Sequence, residues 1–207
     1  MAATTATRSS ARVTSDARPL RGEARRAAIT EAALAVIARV GPDGLTHRAV
    51  AKEAGLPLAA TTYWFAGKED MVRAALEHAA ERDIAYWERL REASRDWTTT
   101  SLARELTRVI EDACTTRREC AVVDCALWLE AVRRPDLRPV AERWLEAYSQ
   151  IMGSILANAG APSTAADADL LGSVVDGLIG HQLATTGPFD RRLVTSRLQR
   201  LIAALAG

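Results

Sequence analysis

One stretch of the chain, residues 44–68, constrains the fold more than any other, because its caps, glycine and apolar spacing predict two short helices joined by a tight turn. The first helix is predicted over Thr46–Ala54, and its first residue is a good N-cap. Gly55 follows, where a sharp turn favours a residue that tolerates left-handed dihedrals. The second helix is predicted over Pro57–Tyr63, since proline suits the first helical position. Helix, turn and helix form the helix-turn-helix pattern, whose second helix can enter the major groove of DNA.

Several short motifs in and around this stretch make the pattern more specific. Gly-Leu-Thr stands at 44–46, Ala-x-x-Ala-Gly-Leu at 51–56, an aromatic cluster ends at Phe65, and Gly-Lys-Glu opens the next predicted helix at 67–69. These motifs resemble the DNA-binding region of the TetR family of bacterial transcriptional regulators over about residues 25–80. Beyond that region, the resemblance extends only to the helical architecture.

The resemblance implies roles for individual side chains at a DNA surface. Thr46 would hold a phosphate at a helix N-terminus, and Arg48 would read a base, since arginine to guanine is the commonest specific contact. Lys68 would meet a phosphate, and Tyr63 with Trp64 would lean on the sugar-phosphate backbone. The complete set of predicted DNA-binding residues is Thr46, His47, Arg48, Leu58, Ala59, Ala60, Thr62, Tyr63, Trp64 and Lys68.

The second helix departs from the family pattern. The family usually has serine where Pro57 stands, and Thr62 occupies the frequent tyrosine position, with a tyrosine following it. We therefore expect a shifted phosphate contact. Leu58, Ala59 and Ala60 can touch thymine methyl groups but offer no side-chain hydrogen bonds. Base reading would then depend on the arginine of the first helix, on methyl contacts and on DNA shape.

The remainder of the chain predicts an all-α protein of about nine helices. Alanine and leucine abound, aromatic residues make up 5% of the chain, and no alternation of strand type appears. Apolar positions recur along one face of the first helix. The predicted helices cover Glu23–Val40, Thr46–Ala54, Pro57–Tyr63, Lys68–Ser94, 100–116, 119–133, 139–159, 164–186 and 190–206.

These elements suggest three parts of the chain. Residues 1–21 are predicted to be a disordered basic arm, which either follows a minor groove or remains a solvated tail. Residues 22–67 would form the helix-turn-helix domain. The resemblance implies that residues 68–207 form a domain that binds a small molecule and dimerises. The first 70 residues carry a net charge of +3 and the remainder −2, which fits phosphate contacts at the N-terminal end.

The helix predicted at 119–133 is apolar around most of its circumference, which indicates burial on most sides. A cleft between it and the next helix would be apolar with few polar groups, as ligand sites usually are. The effector is accordingly expected to be a largely apolar small molecule. For each candidate liner, ordinary core packing is the alternative. The candidate ligand-binding residues are Cys125, Trp128, Trp144, Tyr148, Met152 and His181.

The last two predicted helices are expected to form a dimer surface. Apolar residues such as Leu170 and Leu193 give each a broad face, and Gly172, Gly177 and Gly180 would allow close approach of a partner. A two-fold dimer suits a palindromic operator. The alternative is that these faces are used inside one subunit.

Other classes find little support in the sequence. Three cysteines without a Cys-x-x-Cys pair argue against a disulfide framework and fit a reducing cytoplasm. No phosphate loop, nucleophile elbow or metal-ligand cluster appears, so we expect a non-enzymatic protein without cofactor or metal. The expected function is a homodimeric TetR-like repressor released from DNA by a small molecule. The alternative is a helical ligand-binding or protein-binding dimer that does not bind an operator.

Overall fold

The computed structural model describes residues 17–161 and 164–206, which form nine α-helices and no strand, as the sequence predicted. Each predicted helix is present, with ends displaced by a few residues. The helices are α1 Ala17–Val40, α2 His47–Ala54, α3 Leu58–Trp64, α4 Lys68–Ala93, α5 Thr99–Cys114, α6 Arg118–Arg133, α7 Arg138–Asn158, α8 Ala165–Leu183 and α9 Arg191–Ala206.

The start of α1 differs from the sequence prediction. Disorder was expected through residue 21, whereas the helix begins at Ala17. Pro19 lies in the first turn, where a backbone N–H has no helical acceptor, so the proline does not prevent the helix from starting upstream of it. Arg8 and Arg12, the outer part of the predicted basic arm, lie outside the described residues.

The first four helices pack around one apolar centre at the N-terminal end. α1 contacts both α2 and α4, and α2 contacts α3. Ile29 and Ile37 of α1 are fully buried together with Leu45, Val50 and Phe65. Burying this apolar surface is what holds two helices as short as α2 and α3 in place, since neither is long enough to be stable alone.

Side-chain caps fix the N-terminal ends of several helices. Thr98 and Thr164 each form a capping box with the residue three positions later. Asp190 accepts a hydrogen bond from the backbone N–H of Leu193 at 2.9 Å. Short 3-10 helices, which the sequence did not predict, fill three of the breaks: Pro42–Gly44, Ser94–Asp96 and Pro135–Leu137.

The larger C-terminal part is a helical bundle in which α4 packs on α7, α7 on α8, and α5 on α9. Much of the apolar face of α9 is used inside the subunit, because Val194, Leu198 and Ile202 are all buried there. Gly172 of α8 also packs internally, since a Cβ at this position would meet the Tyr148 ring at 2.9 Å. Among the described helices, none is long and apolar enough to span a membrane.

Candidate functional site

The helix-turn-helix depends on two residues that the sequence singled out, one at each end of α2. The Thr46 hydroxyl accepts a hydrogen bond from the N–H of Ala49 at 3.1 Å, which caps α2. Gly55 ends α2 in the left-handed region at φ +62°, and its N–H is bonded to carbonyls of the last helical turn. Leu56 N–H then closes the turn onto Ala51 O at 3.0 Å. These bonds fix the direction in which α3 leaves α2.

One predicted DNA-binding residue holds the two helices together. His47 is half-buried, and its Nδ1 lies 3.2 Å from the Thr61 hydroxyl of α3. Thr61 is fully buried and donates to Leu58 O at 2.9 Å. The sequence reading did not single out Thr61, because its role depends on a histidine fourteen residues away.

The outer surface of α3 is exposed and mostly apolar. Leu58, Ala59, Thr62 and Tyr63 are all exposed, and the Tyr63 side chain keeps 78% of its accessible surface. Ala60 is half-buried. Among the described residues, Tyr63 makes an edge-on ring contact with Trp64, and its exposed hydroxyl is available to a phosphate.

Two more predicted contacts have structural partners within the subunit. The half-buried Trp64 ring lies close to the start of α1, because a Cβ on Gly22 would come within 3.4 Å of it. Lys68 Nζ donates to Asp43 O at 2.7 Å and so ties the start of α4 to the loop before α2. An ammonium has three donors, so this bond leaves donors for a phosphate. Arg48 is exposed on α2.

A groove of about 850 Å³ separates the start of α1 from α3. Arg25, an exposed residue of α1, borders it on one side, and Ala59 and Tyr63 border it on the other. The sequence reading did not assign Arg25 to the DNA surface. Its position beside α3 adds a cation to a surface whose own helix carries none.

A second candidate site is a cavity of about 60 Å³ within the C-terminal bundle. Cys125, Trp128 and Trp144, three of the predicted ligand-binding residues, line it. Tyr148 stacks on Trp144 with 4.8 Å between ring centroids and borders a neighbouring groove that it shares with Trp128. The structure does not bring Met152 to the cavity, since this side chain is fully buried in the core.

His181, the last predicted ligand-binding residue, is exposed near the end of α8 and does not line the cavity either. The prediction of a lining with few polar groups is also wrong, because four charged residues border the cavity. They are Asp83, Arg117, Asp124 and Asp176. The sequence reading gave none of them a role at this site, because their helices meet only in the folded chain.

Asp83 accepts the most hydrogen bonds of these carboxylates. Its Oδ2 accepts hydrogen bonds from the indole N–H groups of Trp87 and Trp144, both at 3.0 Å, and its Oδ1 accepts one from Arg117 Nη2 at 3.2 Å. The residue is 6% exposed. Burial raises the pKa of Asp83, while Arg117 and the two indoles oppose that increase.

The other two carboxyl groups face the same space. Burial, together with the negative charge of Asp83, raises the pKa of Asp124 well above its usual range. Burial also raises the pKa of Asp176 to about 7, although the Tyr148 hydroxyl donates to its Oδ1 at 3.2 Å and acts in the opposite direction. Three carboxyl groups around one cavity, with aromatic walls, form a place where a cation gains both charge pairing and ring contacts.

Arg117 is the one cation among these lining residues. It lies in the turn between α5 and α6, and its guanidinium carbon stands 3.3 Å from the centroid of the Tyr86 ring. The side chains that line the cavity therefore include both positive and negative charges. No group of metal-ligating side chains occurs among the residues that the structure describes.

Two family models match the chain. The model described as bacterial regulatory proteins, tetR family, matches residues 29–75, and the model described as tetracyclin repressor-like, C-terminal domain, matches residues 97–204. Comparison with curated protein sequences gives no match.

Solved structures resemble most of the chain. The multidrug binding protein EbrR complexed with ethidium is 35% identical, with a TM-score of 0.67, over 90% of this chain and 99% of EbrR. EbrR complexes with proflavin and with malachite green also match at 35% identity. A member of the TetR family from Streptomyces coelicolor A3 is 36% identical, with a TM-score of 0.68, over 86% of this chain and 97% of that one.

Proposed function

Because this chain belongs to the TetR family of transcriptional regulators, we propose that it is a cytoplasmic repressor. It would bind a palindromic operator as a homodimer and leave the DNA when a small aromatic cation binds. The observation that carries the proposal is the capped helix-turn-helix, in which α2 and α3 are locked together while the outer face of α3 stays exposed. A rigid pair of helices with a free recognition face is what major-groove binding requires.

Operator recognition would use residues around α3 as well as on it. Arg48 would read a base edge, and Thr46, Tyr63 and Lys68 would contact phosphates. Leu58 is 47% exposed, so its side chain is free to contact a partner surface. A thymine methyl in the major groove is such a partner.

Dimerisation would use the exposed faces of α8 and α9. Leu170 and Leu193 are 46% and 47% exposed, respectively, although other residues of the same helices are buried inside the subunit. A Cβ on Gly177 of α8 would meet no atom within 4 Å, so a partner helix has room to approach there. Two-fold pairing of these faces would present two α3 helices to two half-sites.

The effector would be an aromatic cation, because the cavity offers carboxyl groups and aromatic rings to the same ligand. EbrR, similar over nearly its whole length, has been solved with ethidium, proflavin and malachite green, and all three are aromatic cations at neutral pH. The charged lining therefore favours a cationic effector over the largely apolar one that the sequence suggested.

Binding in the cavity can reach the DNA-binding helices through α4. This helix carries Asp83 in the cavity wall and Lys68 at its first residue. Arg73, one turn further on, donates to the Asp136 carboxylate between α6 and α7, and Arg134 donates to the same carboxylate. A shift of α6 or α4 caused by the ligand would change the spacing of the recognition helices, and DNA would then be released by a population shift.

Binding of the purified chain to labelled duplexes from regions near its own gene, followed by fluorescence anisotropy, tests the proposal. We expect tight binding to a palindromic fragment, with affinity that falls steeply as salt increases, because phosphate contacts release counterions. A scrambled duplex of the same composition is the control. Absent or salt-independent binding to all fragments would instead favour a helical ligand-binding or protein-binding dimer without an operator, which the apolar surface of α3 would suit.

A further inference from the structure

The cavity already contains a positively charged group of the protein itself. Arg117 Nη2 donates to Asp83 Oδ1 at 3.2 Å, and the face of the guanidinium lies on the Tyr86 ring, with 3.3 Å between Cζ and the ring centroid. A carboxylate on one side and an aromatic face on the other are the two contacts that stabilise a bound aromatic cation. The guanidinium is planar and delocalised, as such a ligand is.

The two members of this ion pair differ in how firmly the fold holds them. Asp83 lies in the middle of α4, and its second oxygen is bound by the indoles of Trp87 and Trp144, so the carboxylate cannot turn away. Arg117 lies in the turn before α6, and its side chain keeps 21% of its accessible surface. It can therefore swing into solvent without unpacking a helix.

We propose that Arg117 occupies the cation subsite of the free protein and that a cationic effector takes its place between Asp83 and Tyr86 while the guanidinium moves out. The inference rests on the proposed effector class and adds the residue that enforces it. A neutral aromatic molecule that displaced Arg117 would leave the buried Asp83 carboxylate without a counter-charge, which is costly. Arg117 thereby determines specificity for charge.

The size of the cavity agrees with this exchange. At about 60 Å³ it is well below the roughly 300–1,000 Å³ of sites for drug-sized ligands. Removal of the guanidinium from the space between Asp83 and Tyr86 enlarges the cavity where the ligand's charge must sit. Trp128, which lines the same cavity and is 37% exposed, stands where the rest of an aromatic ligand can enter.

A pair of related dyes separates charge from shape. Proflavin and acridine share a three-ring frame, but at about pH 8 only proflavin is a cation. Fluorescence titration of the purified protein should show that Arg117→Gln binds proflavin about tenfold more tightly than the wild type, because one charge-assisted hydrogen bond no longer has to be broken. Acridine has no charge to pair with Asp83 and would strip water from that carboxylate in Arg117→Gln. It should therefore stay outside the subsite in both proteins, and its affinity should change by less than about twofold.

Three further variants make the result specific. Arg118→Gln removes the same charge from the adjacent residue, which bonds Leu183 O and not Asp83, and should leave proflavin affinity nearly unchanged. In an Asp83→Asn background, Arg117→Gln should bring no gain. Arg117→Lys keeps a cation beside Asp83 but loses the planar stack on Tyr86, so its gain should be smaller; this variant carries the test if the glutamine variant does not fold.

The outcomes separate this inference from the function on which it rests. If the wild type binds proflavin and Arg117→Gln binds it no more tightly, or gains equally for acridine, then Arg117 is not the occupant of a cation subsite, although the effector class stands. If neither protein binds proflavin, the proposed effector class is wrong, and this inference is wrong with it. A wild type that binds proflavin weakly beside an Arg117→Gln variant that binds it strongly is the expected result.

Discussion

If the cavity binds a cation as proposed, the carboxyl group of Asp176 should make that binding depend on pH. Burial raises its pKa to about 7, so the group loses its proton between about pH 6 and pH 8. Ionised Asp176 attracts a cation in the cavity, and neutral Asp176 does not. The affinity for proflavin should therefore rise over this range, measured by fluorescence titration in buffers of equal ionic strength. Asp176→Asn should flatten the rise. An unchanged profile in that variant would assign the pH dependence to another group.

Two cations near the DNA surface should differ in what their removal does. Lys68→Ala should weaken binding to all duplexes alike and lower the slope of log affinity against log salt by about one, because one phosphate contact is lost. Arg48→Ala should in addition relax the preference at one base pair, by about 1–3 kcal/mol. Anisotropy titrations against single-substitution duplexes measure both effects.

The matched control is Arg143→Ala, which removes an exposed cation of α7 that takes no part in the contacts between α4 and the α6–α7 turn. This variant should keep wild-type DNA affinity. Equal losses on every duplex for Arg48→Ala and Lys68→Ala would remove the base-reading role from Arg48. Lys68 also bonds Asp43 O, so thermal unfolding of Lys68→Ala shows how much of its effect is structural.

Individual residues could be predicted from sequence where their role is local. Thr46 caps the helix that begins at the next residue, and Gly55 supplies a positive φ at the other end of that helix. Asp83 could not be predicted, because its partners Arg117 and Trp144 stand 34 and 61 residues away along the chain. In the sequence, such a site shows only as an aspartate on the apolar face of an amphipathic helix.

At the scale of single elements, the turn between α2 and α3 depends on Gly55. Its φ of +62° is strained for any residue with a Cβ, although a Cβ there would meet no atom. Gly55→Ala should therefore lower the free energy of unfolding by about 1 kcal/mol through backbone strain alone. Chemical denaturation followed by circular dichroism measures this loss.

Gly187→Ala is the control for that variant. Gly187 also has open space for a Cβ, but its φ lies outside the left-handed region. Its stability should stay within about 0.5 kcal/mol of the wild type. If both variants lost the same stability, the strain argument for Gly55 would be wrong.

The number and order of the helices were predictable because proline and glycine mark most of the breaks between them. The residues at which the helices end were harder to predict. α8 was predicted to reach residue 186 but ends at Leu183, where Gln182 Nε2 donates to Gly187 O at 2.8 Å and closes the chain into a turn. Such a bond depends on backbone geometry beyond the helix, which apolar periodicity does not report.

For the whole molecule, the assembly should depend on the outer face of α8. Gly177→Gln places a long side chain where the proposed partner helix approaches, so the protein should sediment as a monomer and lose operator affinity, because each half-site is then bound alone. Ala157→Gln, at an exposed position of α7, should remain dimeric. If both variants sediment alike in analytical ultracentrifugation, the interface lies elsewhere.

The sequence anticipated this surface only in part. The apolar faces of α8 and α9 were expected to meet a partner, yet Leu171 and Val175 of α8 are fully buried within the subunit, as is Leu198 of α9. An apolar helix face predicts that the face is buried, but it does not predict whether the surface that covers it belongs to the same chain or to a partner. What remains for a partner are the residues that the subunit leaves exposed, such as Leu170 and Leu193.

In the proposed mechanism, a cation in the Asp83 cavity releases the protein from DNA. Malachite green titrated into the complex of the protein with its labelled operator, while anisotropy is recorded, shows whether this release occurs. We predict that anisotropy falls to the value of free DNA as the cavity fills. The complex of Asp83→Asn with the same duplex should persist at the same dye concentrations. Equal release of both proteins would place the dye's action on the DNA, and an intact wild-type complex at saturating dye would contradict the mechanism.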